Sequence, residues 1–112
     1  MLRVIRMKGF SQDLAALNSG ELDNLVTGLI YELAMQYPVS IKALKKRPLT
    51  GDLRGAWSAK FDIQGFPNRY RLVFDYIPNY KKPDTLRLIA VGLRFDDQVY
   101  LAAASRYERS RN

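Results

Sequence analysis

In two segments between residues 53 and 77 the apolar side chains recur at every second position, and this period of two constrains the fold more than any other feature of the chain. In "LRGAWSAKFDI", Trp57, Ala59, Phe61 and Ile63 alternate with Ser58, Lys60 and Asp62, the pattern of a strand with one buried face. After the turn signal "QGFPN", the run "RYRLVFDYI" alternates Tyr70, Leu72, Phe74 and Tyr76 against Arg69, Arg71, Val73 and Asp75. A second turn, "PNYKKPD", precedes "TLRLIAVGL", whose near-continuous apolar character predicts a central strand. Loops this short join neighbouring antiparallel strands, so the three segments predict a meander.

The first half has a different rhythm. "LRVIRM" at 2 to 7 reads as a short strand before Gly9. Ser11 is placed to cap a short helix "QDLAALN", with Asp13 in its first turn. Ser19 then caps a helix of about four turns carrying Leu22, Leu25, Val26, Leu29, Ile30 and Leu33 at helical spacing and ending before Pro38. "VSIKALKKRPL" is expected to continue as a short helix or turn up to Pro48. At the other end, Asp96 and Asp97 give a helix-start signal for "DDQVYLAAASRYERS". The expected fold class is therefore α+β in a single domain over 1–112: an N-terminal strand and two helices packed on an antiparallel sheet, with a three-strand C-terminal meander and a short C-terminal helix. Two helices cover one sheet face, which predicts an open face opposite them.

Composition narrows the chemistry. The 112 residues contain neither cysteine nor histidine, which removes disulfides, thiolate and imidazole metal ligands, the cysteine nucleophile and the usual general base. No metal site or cofactor is expected. No apolar run reaches the roughly 20 residues of a membrane-spanning helix, and the charged start does not read as a signal peptide, so a cytoplasmic location is expected. The net charge is +7, and it is uneven. Residues 1 to 37 carry Arg3, Arg6 and Lys8 against Asp13, Glu21, Asp23 and Glu32, so the excess of positive charge belongs wholly to residues 38 to 112. A one-sided basic excess suits a polyanionic partner, although a soluble basic surface has the same composition.

One register makes a sharper statement. If the "QGFPN" hairpin pairs Ile63 with Asn68, Asp62 stands opposite Arg69 and Lys60 opposite Arg71, all on the face away from Trp57, Phe61, Tyr70 and Leu72. The first pair attracts. The second opposes like charges, so either an anion sits between them or both splay into solvent. Arg94, just past "LIAVGL", and Tyr100, six residues on, are an arginine and an aromatic able to hold a phosphate and a base; the alternative is a surface arginine and a core tyrosine.

With these residues in view, "YRLVFDY" followed by "LIAVGLRFDDQVYLAAASR" resembles the C-terminal half of the RelE and ParE superfamily of bacterial toxins. Its members carry a similar "YR.VY" strand and a "VG.R.....VY..A..R" ending, and "LTGDLRGAWSAKF" is similar to their entry into the first meander strand. The resemblance spans residues 45 to 107. It implies a toxin neutralised by a cognate antitoxin protein. For the RelE branch it implies an endoribonuclease that cleaves mRNA in the ribosomal A site by attack of the ribose 2′-hydroxyl on the adjacent phosphate, without metal. By motif, Arg71 matches the arginine on the scissile phosphate, Arg94 a second arginine supporting transition-state charge, Tyr100 the tyrosine that orients the base, and Lys60 a lysine acting as base or charge stabiliser. Lys60 is the first choice for the general base and Tyr100 the second. Ser58 departs from the pattern, since the best-known members have another basic residue there. Fixed cations suit a phosphoryl transfer that lacks histidine.

The remaining cations, Lys45, Lys46, Arg47, Arg54, Arg69, Lys81 and Lys82 among them, suit contact with ribosomal RNA. Arg106, Arg109 and Arg111 suit RNA or an acidic antitoxin, which would wrap the exposed sheet face and helices. Two alternatives share the fold: a ParE-like inhibitor of DNA gyrase, and an inactive RNA- or partner-binding domain.

Overall fold

The computed structural model describes residues 1–36 and 38–110, so Arg111 lies outside the described residues. In chain order its elements are β1 (Arg3–Arg6), α1 (Phe10–Ala16), α2 (Gly20–Ala34), the two-residue strands β2 (Lys42–Ala43), β3 (Lys46–Arg47) and β4 (Gly51–Asp52), the longer β5 (Trp57–Phe61), β6 (Tyr70–Ile77) and β7 (Thr85–Leu93), and α3 (Gln98–Ser110). The alternating segments form the antiparallel meander β5–β6–β7, and the five-stranded sheet has the order β1-β7-β6-β5-β2, with β1 parallel to β7. β3 and β4 form a separate small ribbon. The α+β architecture is as expected.

The apolar run of β7 reflects burial on both faces together with a bulge. Val73 pairs with Ala90 but Phe74 pairs with Leu88, so Ile89 is an extra residue in β7. Leu86, Leu88 and Val91 pack with Leu72 and Phe74 beneath α1 and α2, whereas Ile89 and Ala90 both pack with Val73 on the opposite face.

That second face is not left open as expected. Val99, Tyr100, Ala103, Ala104 and Tyr107 recur at helical spacing on α3 and bury against Val73, Ile89, Ala90, Leu44, Leu53 and Ala56. Two alanines at the centre of this stripe let the helix approach the sheet closely. The segment after α2 is also extended rather than helical. Lys42 and Ala43 pair with Ser58 and Trp57 at the edge of β5, and Lys46 and Arg47 pair with Asp52 and Gly51. Both pairings give the backbone cross-strand partners while Leu44 and Leu53 enter the core.

Helix starts divide between expectation and correction. Ser19 caps α2, its hydroxyl accepting from the Leu22 N–H at 3.2 Å. Along α2, Leu22, Val26 and Leu33 are buried, while Leu25 is 37% exposed. Ser11 does not cap α1: Gly9 does, with a left-handed backbone at φ 98°, and the Ser11 hydroxyl accepts from Arg6 instead.

β1 ends at Arg6, its last bond to β7 running from the Met7 N–H to the Leu88 carbonyl at 2.8 Å. Beyond it the edge of β7 is met by side chains. Arg106 of α3 donates to the Ile89 carbonyl at 2.8 Å and to both oxygens of Asp13 in α1, and Asp13 accepts from the Val91 N–H at 3.3 Å. Both side chains are largely buried, at 14% and 19% exposure. Replacing either Asp13 or Arg106 by Ala is expected to cost about 3 kcal/mol, because the remaining charge stays desolvated without its partner. Urea denaturation of the two single variants and the double variant measures this, and simple additivity would sink the coupling.

Candidate functional site

The register that opposes like charges is present: Lys60 pairs with Arg71, Phe61 with Tyr70, and Asp62 meets Arg69 one step further on. Asp62 has a fully buried side chain and accepts from Arg69 Nε at 2.7 Å, Arg69 Nη2 at 2.9 Å, the Arg69 N–H at 3.0 Å and the Ile63 N–H at 2.7 Å. The Arg69 hydrogen bonds hold its carboxyl well below the usual carboxylate range, against the opposing effect of burial. The hairpin is thus pinned at its loop end by a charge pair that leaves Arg69 neutralised.

Lys60 and Arg71 have no such compensation. They face a cleft of about 380 Å³ whose wall also carries Lys42, Arg47, Arg94, Tyr100 and Ser58. All four residues given catalytic roles by the resemblance therefore meet in one place. Among the described residues the ion pairs are Arg47–Asp97, Arg54–Asp52, Arg69–Asp62, Arg87–Asp75 and Arg106–Asp13, so no carboxylate pairs with Lys60, Arg71 or Arg94. Arg71 is oriented by carbonyls, its Nη1 donating to Asn68 at 2.7 Å and Tyr70 at 2.9 Å.

Arg94 and Tyr100 reach the same cleft because the chain reverses sharply between them. Asp96 and Asp97 both take left-handed backbone, at φ 52° and 56°, which aspartate tolerates better than most residues. They form a tight turn, closed by the Asp97 N–H on the Arg94 carbonyl at 2.9 Å, and α3 starts directly after it. Tyr100 is only 4% exposed and belongs to the α3-side core as well as to the cleft wall. Its ring is covered by the Arg47 guanidinium, 4.2 Å from the centroid, and Arg47 also donates to Asp97 at 3.4 Å.

Arg47 is the residue whose position was hardest to foresee. Ser58 is buried at the position where the resemblance implies a further basic residue, and Arg47 brings a cation into the same cleft from β3. Its contacts with Asp97 and Tyr100 join residues about fifty positions apart, which no local pattern announces. Lys45 and Lys46 are exposed beside it. The other expected RNA-contacting residues divide. Arg69 borders the cleft strands, but Arg54, Lys81 and Lys82 do not join them. Lys81 and Lys82 lie in the β6–β7 loop, their N–H groups on Asn79 Oδ1 at 3.0 and 2.9 Å, at the end of the strands opposite Arg71. Arg54 is held by Asp52 and sits beside the last turns of α3, where the Tyr107 hydroxyl donates to its carbonyl at 3.1 Å. Arg106, at the edge of β7, is a structural residue.

The fold and cleft together define a small α+β domain with a cationic recess at one end of its sheet. Planar guanidiniums and ammoniums converging on one recess can hold a phosphate and stabilise charge that develops on it. No family model matches the chain, and no curated protein matches it. Among solved structures it is similar to the solution structure of conserved hypothetical protein HP0892 from Helicobacter pylori, at 22% identity and a TM-score of 0.53, over 86% of this chain and 98% of that one. This likeness shows a shared fold. No helix among the described residues is long and apolar enough to cross a membrane.

Because the Asp62 carboxyl is depressed, its contribution to stability is complete above the ordinary carboxylate pKa and is lost as the pH falls through the lower, folded value. Asp62→Asn is therefore expected to lower stability by a constant amount at neutral pH, with the gap to the native chain narrowing below about pH 4. Denaturation midpoints across pH measure it. A gap that widened in acid would contradict the pairing.

Proposed function

We propose that the chain is a toxin of the RelE-like branch of the RelE and ParE superfamily, a ribosome-dependent endoribonuclease that cuts mRNA in the A site and is neutralised by a cognate antitoxin protein. The observation that carries this reading is the meeting of Lys60, Arg71, Arg94 and Tyr100 in one cleft, with no carboxylate paired to Lys60, Arg71 or Arg94 among the described residues. In this mechanism Arg71 holds the scissile phosphate. Lys60, directly across the strand pair, takes the proton of the attacking 2′-hydroxyl as the neutral amine, or balances the charge on the phosphorane as the ammonium. The new bond between the 2′-oxygen and phosphorus closes the ring as the bond to the 5′-oxygen breaks; Arg94 stabilises the charge on that departing oxygen, which takes a proton from water and leaves as a hydroxyl, and the 2′,3′-cyclic phosphate remains. Tyr100 supports Arg47 over the site, so that a further cation faces the same phosphate group. The exposed lysines beside Arg47 suit the ribosomal RNA backbone.

Primer extension on a reporter mRNA in a translation extract, with and without ribosomes, tests the reading. The native chain is expected to give ribosome-dependent cuts at A-site codons. Arg71→Ala should reduce them by about a hundredfold or more while leaving the thermal midpoint unchanged. An absence of cuts together with inhibited DNA gyrase supercoiling would transfer the chain to the ParE-like branch; inactivity in both assays would leave a binding domain.

A further inference from the structure

Two phenylalanines in the loops that follow β5 and β7, at one end of the meander, contribute little to the core. Phe66, in the β5–β6 loop, is 56% exposed, and Phe95, in the turn after β7, is 70% exposed. A single exposed apolar residue needs no explanation, but Phe66 lies against a fixed cation, and the strand bearing that cation also anchors the turn that carries Phe95. The Arg69 guanidinium lies 4.5 Å from the Phe66 ring centroid and 5.3 Å from that of Tyr70. Its plane is locked by the paired bonds from Nε and Nη2 to Asp62. The Arg69 carbonyl accepts from the Arg94 N–H at 2.8 Å, which fixes the turn bearing Phe95 against the strand bearing Arg69. Arg94 itself lines the cleft, so the turn that carries Phe95 begins at the wall of the cationic recess.

We propose that Phe66 and Phe95, with the locked guanidinium of Arg69, form a base-stacking subsite for single-stranded RNA nucleotides flanking the phosphate held in the cleft. The inference rests on the reading of the cleft as an RNA phosphate site. Its chemistry discriminates between partners. Asp62 already neutralises Arg69, so the rim offers flat π surfaces rather than net charge. An acidic peptide gains little from such a surface. A nucleobase gains a stacking platform that tolerates any sequence, because every base has a π face. The backbone of the same strand then enters the recess, where the unpaired cations are.

The test is fluorescence anisotropy with a short labelled RNA, 2′-O-methylated throughout so that it cannot be cleaved, and with the same backbone lacking its bases. Phe66→Ala and Phe95→Ala are each expected to weaken binding of the base-bearing strand roughly tenfold and to leave the abasic strand unaffected. Tryptophan at both positions should restore the affinity, and Arg71→Ala should weaken both strands. If the double alanine variant binds the base-bearing strand as well as the native chain does while Arg71→Ala still weakens it, the subsite is overturned and the cleft reading stands. A native chain that binds neither strand would overturn both.

Discussion

The architecture depends on how the edge of β7 is closed. This strand is buried on both faces and flanked by β6 along its length, but β1 covers only its first half. Unpaired backbone groups at a sheet edge need partners or water. Here a carboxylate and a guanidinium take the place of a strand, Asp13 accepting from Val91 and Arg106 donating to the bulged Ile89. Because Asp13 belongs to α1 and Arg106 to α3, the same contact fastens the two helical layers to each other across the edge. Its fit leaves little room: a Cβ on Gly9 would lie 2.6 Å from the Arg106 guanidinium, at a backbone φ of +98° that already disfavours a side chain. Without the bulge, Ile89 and Ala90 would not both face α3, and the helix would lose half of its seat on β7.

Charge is distributed by the same economy. Five aspartates, Asp13, Asp52, Asp62, Asp75 and Asp97, are each committed to an arginine. Two of these pairs, Asp62–Arg69 and Asp75–Arg87, lie across neighbouring strands and tie the meander together. Among the described residues, four cations outside these pairs, Lys42, Lys60, Arg71 and Arg94, meet in the cleft beside α3. Opposed like charges on adjacent strands are destabilising, so Lys60 and Arg71 cost the isolated fold something that a bound phosphate would relieve. A site of this kind binds its anion more strongly because the protein has prepared the cations in advance rather than recruiting them from solvent.

The meander, the α2 cap and the Lys60–Arg71 register were legible because each depends on short-range pattern: a period of two, a serine before a helical run, and a hairpin of definite length. The Asp62–Arg69 pair was legible for the same reason. The path of α3 was not, since an alanine-rich helix with basic residues at its end reads equally as a peripheral helix. Its apolar stripe of Val99, Tyr100, Ala103, Ala104 and Tyr107 acquires meaning only when Val73, Ile89 and Ala90 are known to lie opposite it. Ser11 misled because a capping residue competes with a glycine two positions earlier that can adopt the left-handed backbone. Arg47 was assigned to general RNA contact because its lysine neighbours look the same in sequence; Asp97 and Tyr100, far along the chain, single it out.

The seam between β7 and α3 is where these constraints meet. Arg94 follows the last residue of a strand whose position is fixed by β6, and Tyr100 sits in the first turn of a helix whose position is fixed by Arg106. Two left-handed aspartates span the distance between them, and backbone of this kind persists only where its surroundings over-determine it. Asp97 is over-determined twice, by its N–H on the Arg94 carbonyl and by its carboxylate beside Arg47. The strained turn thereby aligns three cleft residues at once: Arg94 on the strand side, Tyr100 on the helix side, and Arg47 laid across the tyrosine ring. An arginine and a tyrosine around this seam are thus connected through a third residue and a carboxylate, so the geometry of the cleft is set by the turn itself and would change if either aspartate adopted an ordinary helical backbone.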